Sequence, residues 1–457
     1  MRPTLKAITA LSLGGALALG ACSFDILNPN GPTEIVDNAS PARVAAAVNG
    51  LIIATRADVP NWIQKASILG REGYRIDVAD PRFISELITA TNLDPSNGAF
   101  GGGQWLGEYA GIRSGHNIMN VIGTAQISDA EKEGVRGFTQ TMQAYMYMLV
   151  LFAHTQDSIP IDVNRPLTDP PAPFVSNVAA WDYVVGLLDS AQTSLLAAGS
   201  AFSFALPPGF AGFDDPAGFL QLNRALLARV HLYRASAFAC ASCYDDALTA
   251  LSASFVDTTS AALDLGAYFD FSANSGDATN PLSQSVTAAV NVAHPSLQDS
   301  LVVNGGSDLR FTAKVASRGT ALCDPLAPTR CSSLSWTVYP NPNSAIPLIR
   351  NEELILIRAE ANNNKTARDA AAAAADINFI RVNSGGLAAN GGLSGATQQA
   401  VQDEIMIQRK YSLLYEGLRW VDMRRTGRLN QLILDFPATD RVFSTLPINS
   451  FEVQARQ

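Results

Sequence analysis

Histidine is scarce in this chain of 457 residues: there are four, none in an H-x₃-H or HExxH arrangement, so no histidine-based metal centre is visible. A G-x-S-x-G elbow, a Walker loop, a GxGxxG turn and an EF-hand loop are all missing, which removes the commonest signatures of acyl transfer, nucleotide binding and calcium binding. Gly98-Ala-Phe-Gly-Gly-Gly103 is glycine-rich, but it has neither the following lysine nor the preceding strand of a phosphate cradle and reads as a flexible loop. Lysine and arginine number 32 against 41 aspartates and glutamates, a formal charge of −9. With no basic stripe to neutralise phosphates, nucleic acid is not expected as a partner. Past residue 21 no apolar run reaches 18 residues, so the body of the chain offers no membrane-spanning segment.

The start of the chain is patterned differently. Arg2 and Lys6 precede an apolar stretch of 13 residues, Ala7 to Leu19, which fits an export signal and is too short for a stable transmembrane helix. It closes on Leu19-Gly20-Ala21-Cys22. Small residues before a cysteine resemble the bacterial lipobox, and the resemblance implies cleavage after residue 21 with Cys22 as the lipid anchor. Ser23, rather than Asp, follows, which by resemblance to Gram-negative lipoproteins implies the outer membrane. A triacylated cysteine buries many CH₂ groups at ~0.8 kcal/mol each, enough to hold a soluble body. Residues 1–21 are therefore expected as signal peptide, and the turn-rich residues 22–40 as lipidated N-terminus and tether.

Four cysteines remain: Cys240, Cys243, Cys323 and Cys331. In an exported chain an even count reads as disulfides, with three connectivities open. Cys323 and Cys331 flank a loop, Asp324 to Arg330, too proline-rich to be helical; closing it would stabilise by roughly 2–3 kcal/mol. Cys240-Ala-Ser-Cys243 leaves three readings open: a local disulfide at a helix end, two buried thiols, or half of a zinc or redox motif that lacks its other half.

From Pro41 onward helical spacing dominates. Ser40 reads as an N-cap with Pro41 at N1, and Val44, Ala47, Val48 and Leu51 recur at three- and four-residue steps. A helix is expected from Asp129 to His154, with Phe138, Met142, Tyr145, Met148, Leu149 and Phe152 as its apolar stripe, and another from Ala179 to Leu196. Leu222–Ser236 and Tyr244–Leu251 resemble a tetratricopeptide unit, and Pro347–Asn378 reads as a second helical pair. Residues 255–346 are rich in Ser, Thr, Asn, Gly and Pro. Short alternating pieces (Leu301–Val303, Phe311–Val315, Ser335–Val338) mark them as a loop-rich insertion with small strands. The organisation is thus mainly α. A tetratricopeptide-like N-terminal scaffold with ligand-facing loops (41–254) is followed by the insertion (255–346) and a C-terminal helical region (347–457).

The C-terminal region carries the most pattern. Arg350-x-x-Glu353-Leu-x-Leu-x-x-Ala359-Glu360-Ala361 precedes Ile377-Asn378-x-Ile380-Arg381, and Gln408-Arg409 leads into Glu416-Gly417-Leu-Arg419-Trp420-Val-Asp422-Met-Arg424-Arg425. With Ala47–Leu51, Trp105-x₃-Tyr109 and Leu446-Pro447-Ile448-Asn449, these segments resemble the SusD/RagB family of nutrient-binding outer-membrane lipoproteins. The resemblance implies a lipid-anchored, surface-exposed protein that binds an oligosaccharide and delivers it to a TonB-dependent, SusC-like receptor, without cofactor, metal or catalysis. A peptide-binding member of the same architecture is the alternative, and a surface glycoside hydrolase a more distant one.

Two sets of residues follow. Glu353 and Glu360 lie seven apart on one helical face, where the hydrolase reading makes them paired acids and the favoured reading makes them ion pairs with Arg381, Arg409 or Arg419. Glu416, Arg419, Asp422 and Arg425 repeat at three-residue steps, as charges pairing around a helix do. Sugar binding calls for aromatic faces flanked by polar groups. The loop-borne candidates are Trp62, Tyr74, Phe100, Trp336 and Tyr339, with Phe83 nearby and Asn61, Arg71, Arg75 and Asp77 as polar neighbours.

Overall fold

The computed structural model describes residues 35–155, 158–166, 168–259, 262–303 and 306–457; the signal, Cys22 and most of the tether lie outside them. The described helices begin with α1 (Pro41–Ala57), α2 (Val59–Leu69), α3 (Arg82–Leu87), α4 (Leu106–Val121) and α5 (Asp129–Ala153). They continue with α6 (Asn177–Ala197), α7 (Pro216–Ala237), α8 (Ser242–Ser252), α9 (Ser296–Val303) and α10 (Leu309–Lys314). The C-terminal region adds α11 (Asn351–Asn364), α12 (Ala370–Asn383), α13 (Gln398–Ser412), α14 (Arg419–Arg425) and α15 (Ser450–Gln454). None of the described helices is long and apolar enough to cross a membrane.

Start signals in the sequence account for most helix beginnings. Ser128 and Glu131 form a reciprocal capping box on α5, and Ser176, Asp215, Asp369 and Thr397 cap α6, α7, α12 and α13 through their side chains. Ser40 occupies the N-cap of α1, with Pro41 behind it, but its hydroxyl makes no cap bond. The apolar stripe of α5 is wholly buried, as its spacing requires. The helices pack serially, α4 on α1 and α5, α5 on α6, α6 on α7, α7 on α8, and α8 on α11, which also holds α12 and α13. That serial stacking of neighbouring helices fits the tetratricopeptide-like scaffold expected from the sequence.

The strands are β1 (Gly73–Arg75), β2 (Ile159–Pro160), β3 (Phe174–Val175), β4 (Gly266–Phe269), β5 (Asn291–Ala293), β6 (Val315–Asp324), β7 (Ala327–Trp336) and β8 (Ile346–Arg350). The largest sheet has the order β1-β5-β7-β6, all antiparallel. Its first strand comes from the N-terminal scaffold and the rest from the loop-rich insertion, and Val36–Gln457 is one compact unit.

Several local expectations are corrected. Leu301–Val303 closes a helix, and Phe311 lies in α10, with extended backbone starting only at Val315. By contrast, the loop and the disulfide expected at Cys323 and Cys331 are present: the two residues pair directly across a β-hairpin and are joined with Cα atoms 4.0 Å apart. Pro347–Arg350 is strand β8, paired with β4, so α11 starts at Asn351. Each error has one cause: apolar runs of three to five residues carry too little periodicity to separate strand from helix.

Candidate functional site

The five aromatics proposed from the sequence are all in the interior, between 1 and 7% exposed. Trp62 is not on a loop: Pro60 sits in the first turn of α2, and the indole packs 6.4 Å from Phe152 and 6.1 Å from Trp420. Tyr74 lies on β1 and shares its hydroxyl between His294 Nε2, at 2.8 Å, and Asp435. Phe100 meets the edge of Phe83 at 5.0 Å. Trp336 stacks on Tyr415 at 4.5 Å and 5°, and Tyr339 donates to Tyr415 O at 3.1 Å. Their polar neighbours are also engaged. Arg71 donates to the carbonyls of Ile68 and Ile433, Arg75 pairs with Asp77 while covering Phe83, and Asn61 donates to Asp58. These residues join the α2–β1 corner to the C-terminal segment and form no exposed stacking platform.

The glycine-rich loop has a defined structural role. Lys65 of α2 is fully buried and donates from Nζ to Gly98 O at 2.7 Å and Phe100 O at 3.3 Å, so the loop presents carbonyls to a cation, the reverse of a phosphate cradle. Burial pulls the Lys65 ammonium down to about 8, opposed by the charges of Asp58 and Glu108.

The acids on α11 are saturated by arginines. Glu353 is held by Arg229 of α7 at 2.8 and 2.5 Å, and Glu360 by Arg425 of α14 at 2.6 and 2.8 Å. The ion-pair reading of these acids holds, but the partners are not those expected. Arg381 goes to Glu404, Arg409 to Asp422 at 2.7 Å, and Arg419 sits in the field of Glu72 and Asp422. Of the three-residue repeat, Asp422 and Arg425 pair within α14, whereas Glu416 turns to Arg350 at 2.8 Å and Lys314 at 3.3 Å. Glu352 also binds Arg350. Burial pushes its carboxyl up, but Arg350 and Lys314 outweigh that and hold it at about 2. A carboxylate locked in a bidentate arginine fork has its orientation fixed and its charge met by that partner.

Glu72 behaves differently. It is 1% exposed, its Oε1 accepts from Tyr415 N at 3.4 Å, and its Oε2 has no partner. Burial drives its carboxyl from 4.5 to about 8, against the pull of Arg419. A folded pKa above the unfolded one means the folded chain keeps a proton that the unfolded chain loses. This contribution to stability is complete below pH 4.5 and is lost as pH rises through about 8. Glu72→Gln should therefore flatten the decline in urea midpoint across that window; an undiminished slope in the variant would refute the assignment.

The opening best suited to a polar ligand lies between α1, the turn before α7 and the end of β4. This groove of about 560 Å³ is lined by Ile53, Pro208 and Phe271; Ile53 is 52% exposed, and Phe271 is buried beneath Arg56. Asn49, Asn274 and Asp277 stand exposed around it. Arg56 lies 4.8 Å over the Phe271 ring and donates to Asp277 at 2.5 Å and to Asp270 O, which ties the 270–277 loop to α1. Gly209 is required there: a Cβ would stand 2.3 Å from Tyr268 O. A second cleft of about 370 Å³ runs past Tyr339 and Tyr268, but its Lys314, Arg350, Glu352 and Glu416 are the ion pairs just described. Sequence reasoning missed the groove because its parts come from residues 49–56, 207–210 and 269–277. Only the exposed Ile53 on an otherwise amphipathic helix hinted at it.

Residues 335–437 match the SusD family. No curated protein sequence matches. Among solved structures, surface glycan-binding protein A from Bacteroides thetaiotaomicron, in complex with laminarihexaose, superposes with TM-score 0.69 at 12% identity, covering 92% of this chain and 98% of that one. A SusD-like carbohydrate-binding protein from Bacteroides fragilis gives 0.68 at 16% identity over 91% and 98%. A SusD superfamily protein from Parabacteroides distasonis gives 0.67 at 16% over 90% and 97%. The chain is thus mainly α and shares the fold of these SusD-like structures over about nine-tenths of its length, with the SusD family match confined to residues 335–437.

Proposed function

We propose that this SusD-type chain is a cell-surface lipoprotein, anchored through Cys22, that captures an oligosaccharide in the α1 groove and passes it to a TonB-dependent outer-membrane transporter without cleaving it. The groove carries the reading. Its volume lies within the usual range for small-ligand sites, and it pairs apolar surface with exposed amides and a carboxylate, the combination that sugar rings and hydroxyls require. The fold shared with a protein seen bound to laminarihexaose supports a glucan as first ligand to try. Capture without hydrolysis is supported by Glu353 and Glu360, both committed to arginines.

Calorimetric titration with laminarihexaose and other oligosaccharides tests the groove. The double variant Asn49→Ala/Asn274→Ala removes two amides at about 1 kcal/mol each, so affinity should fall roughly 30-fold with the melting temperature unchanged. Binding that survives intact would move the site elsewhere, and binding of peptides but no glycan would favour the peptide-binding alternative. Anchoring is tested separately by fatty-acid labelling, which Cys22→Ser should abolish.

A further inference from the structure

Ligand capture leaves the Cys240–Cys243 pair unused. The two residues are joined as a disulfide, Cα atoms 5.4 Å apart, where the turn after α7 enters α8. Cys243 is buried, and Asp246 stands one helical turn further along α8 on the exposed side. His231 of α7 comes up against them. One ligand atom each from His231, Cys243 and Asp246 lie within 4.8 Å of one another, and Cys240 is bonded to Cys243. His231 is 7% exposed, and its Nδ1 is buried with no hydrogen-bond partner. Buried ring nitrogens are normally satisfied, so an orphan on the ring that meets Cys243 and Asp246 calls for an explanation.

We infer that this helix pair is a redox-gated zinc site, with Cys240, Cys243, His231 and Asp246 as its four ligands. A dithiol reductant opens the disulfide, supplying two electrons and two protons and itself becoming a disulfide. Zn²⁺ then displaces both thiol protons to solvent and forms two Zn–S bonds, while a His231 ring nitrogen and an Asp246 oxygen complete the tetrahedron. Such a site needs about 2.3 Å to sulfur and about 2.0–2.2 Å to nitrogen and oxygen, which places neighbouring ligand atoms less than about 4 Å apart. A cluster already within 4.8 Å reaches that spacing by side-chain rotation. In the disulfide the sulfurs are bonded to each other and carry no anionic charge, so metal and disulfide exclude one another. The disulfide closes only the turn between the helices, whereas zinc would also tie α8 to α7 through His231. The zinc site and the α1 groove share no residue.

The test is metal titration of the full chain carrying Cys22→Ser, Cys323→Ser and Cys331→Ser, so that neither the anchor thiol nor the second cysteine pair competes, before and after reduction with a phosphine. The reduced protein should take one equivalent of zinc, and cobalt in its place should show the intense d–d bands of a tetrahedral thiolate site. The oxidised protein should take none. Asp246→Asn, an exposed change, and His231→Gln should each weaken binding at least about tenfold, and Cys243→Ser should remove the thiolate bands. Should the cysteine variant not fold, the aspartate and histidine variants still decide the matter. Reduced protein that binds no zinc, or binds it equally in Asp246→Asn and His231→Gln, would overturn the assignment.

Discussion

Arg425→Ala is expected to destabilise the protein by about 3–5 kcal/mol, the cost of leaving a buried charge without its partner. Arg425 forks onto both oxygens of Glu360 at 2.6 and 2.8 Å, reaches Asp422 at 2.9 Å and donates to Ser236 at 3.0 Å. One guanidinium thereby joins α7, α11 and α14, three elements far apart in sequence. Asp422 keeps Arg409 when Arg425 is lost, but Glu360, which is fully buried, keeps no cation. The double variant Glu360→Gln/Arg425→Met should recover much of the loss, because two neutral groups replace a lone buried carboxylate. Urea unfolding of the single and double variants measures both quantities. A loss below about 1 kcal/mol for Arg425→Ala, the value of an exposed pair, would show that this network does not hold the helices together.

Gly103→Ala should be comparably damaging, for a steric reason compounded by charge. A Cβ at this position would lie 1.7 Å from Lys65 Nζ and 2.3 Å from Gly98 O. The carbonyl belongs to the loop backbone and cannot swing away, so the ammonium is the group displaced. Lys65 would then lose the carbonyls of Gly98 and Phe100 while staying buried, a loss again of about 3–5 kcal/mol. The loop also accepts from Asn449 at Gly102 O, at 2.7 Å, so the damage would reach the C-terminal segment. Combining Gly103→Ala with Lys65→Met separates the two causes. Partial recovery in the pair identifies the cation as the clash, whereas additive losses would leave the backbone contact with Gly98 as the whole effect.

The helical scaffold was legible because its signals are local. Apolar residues at three- and four-residue spacing, as in the stripe of α5, act within one or two helical turns. The site was not legible. Pro60-Asn61 before Trp62 reads as a turn, yet a proline in the first turn of a helix leaves the same trace, and the two differ only in what packs against the indole. The half-site at Cys240 and Cys243 looked incomplete because its histidine lies on the preceding helix, nine positions before Cys240, outside any spacing rule for metal motifs.

Residue order alone determined that the chain is mainly helical, that a long helix opens at Asp129, and that the segment bearing Glu353 and Glu360 carries acids in need of cations; it left three pairings of the four cysteines open. Tertiary structure decided which cation each acid meets: Glu353 takes Arg229 across 124 residues and Glu360 takes Arg425 across 65, while nearer arginines serve other acids. It also decided that the aromatics turn inward and that three remote segments enclose a groove. The physical reason is range. Dihedral preference and helical period act over a few residues, whereas partner choice depends on how whole helices stack, and that is settled by the burial of all their apolar faces at once.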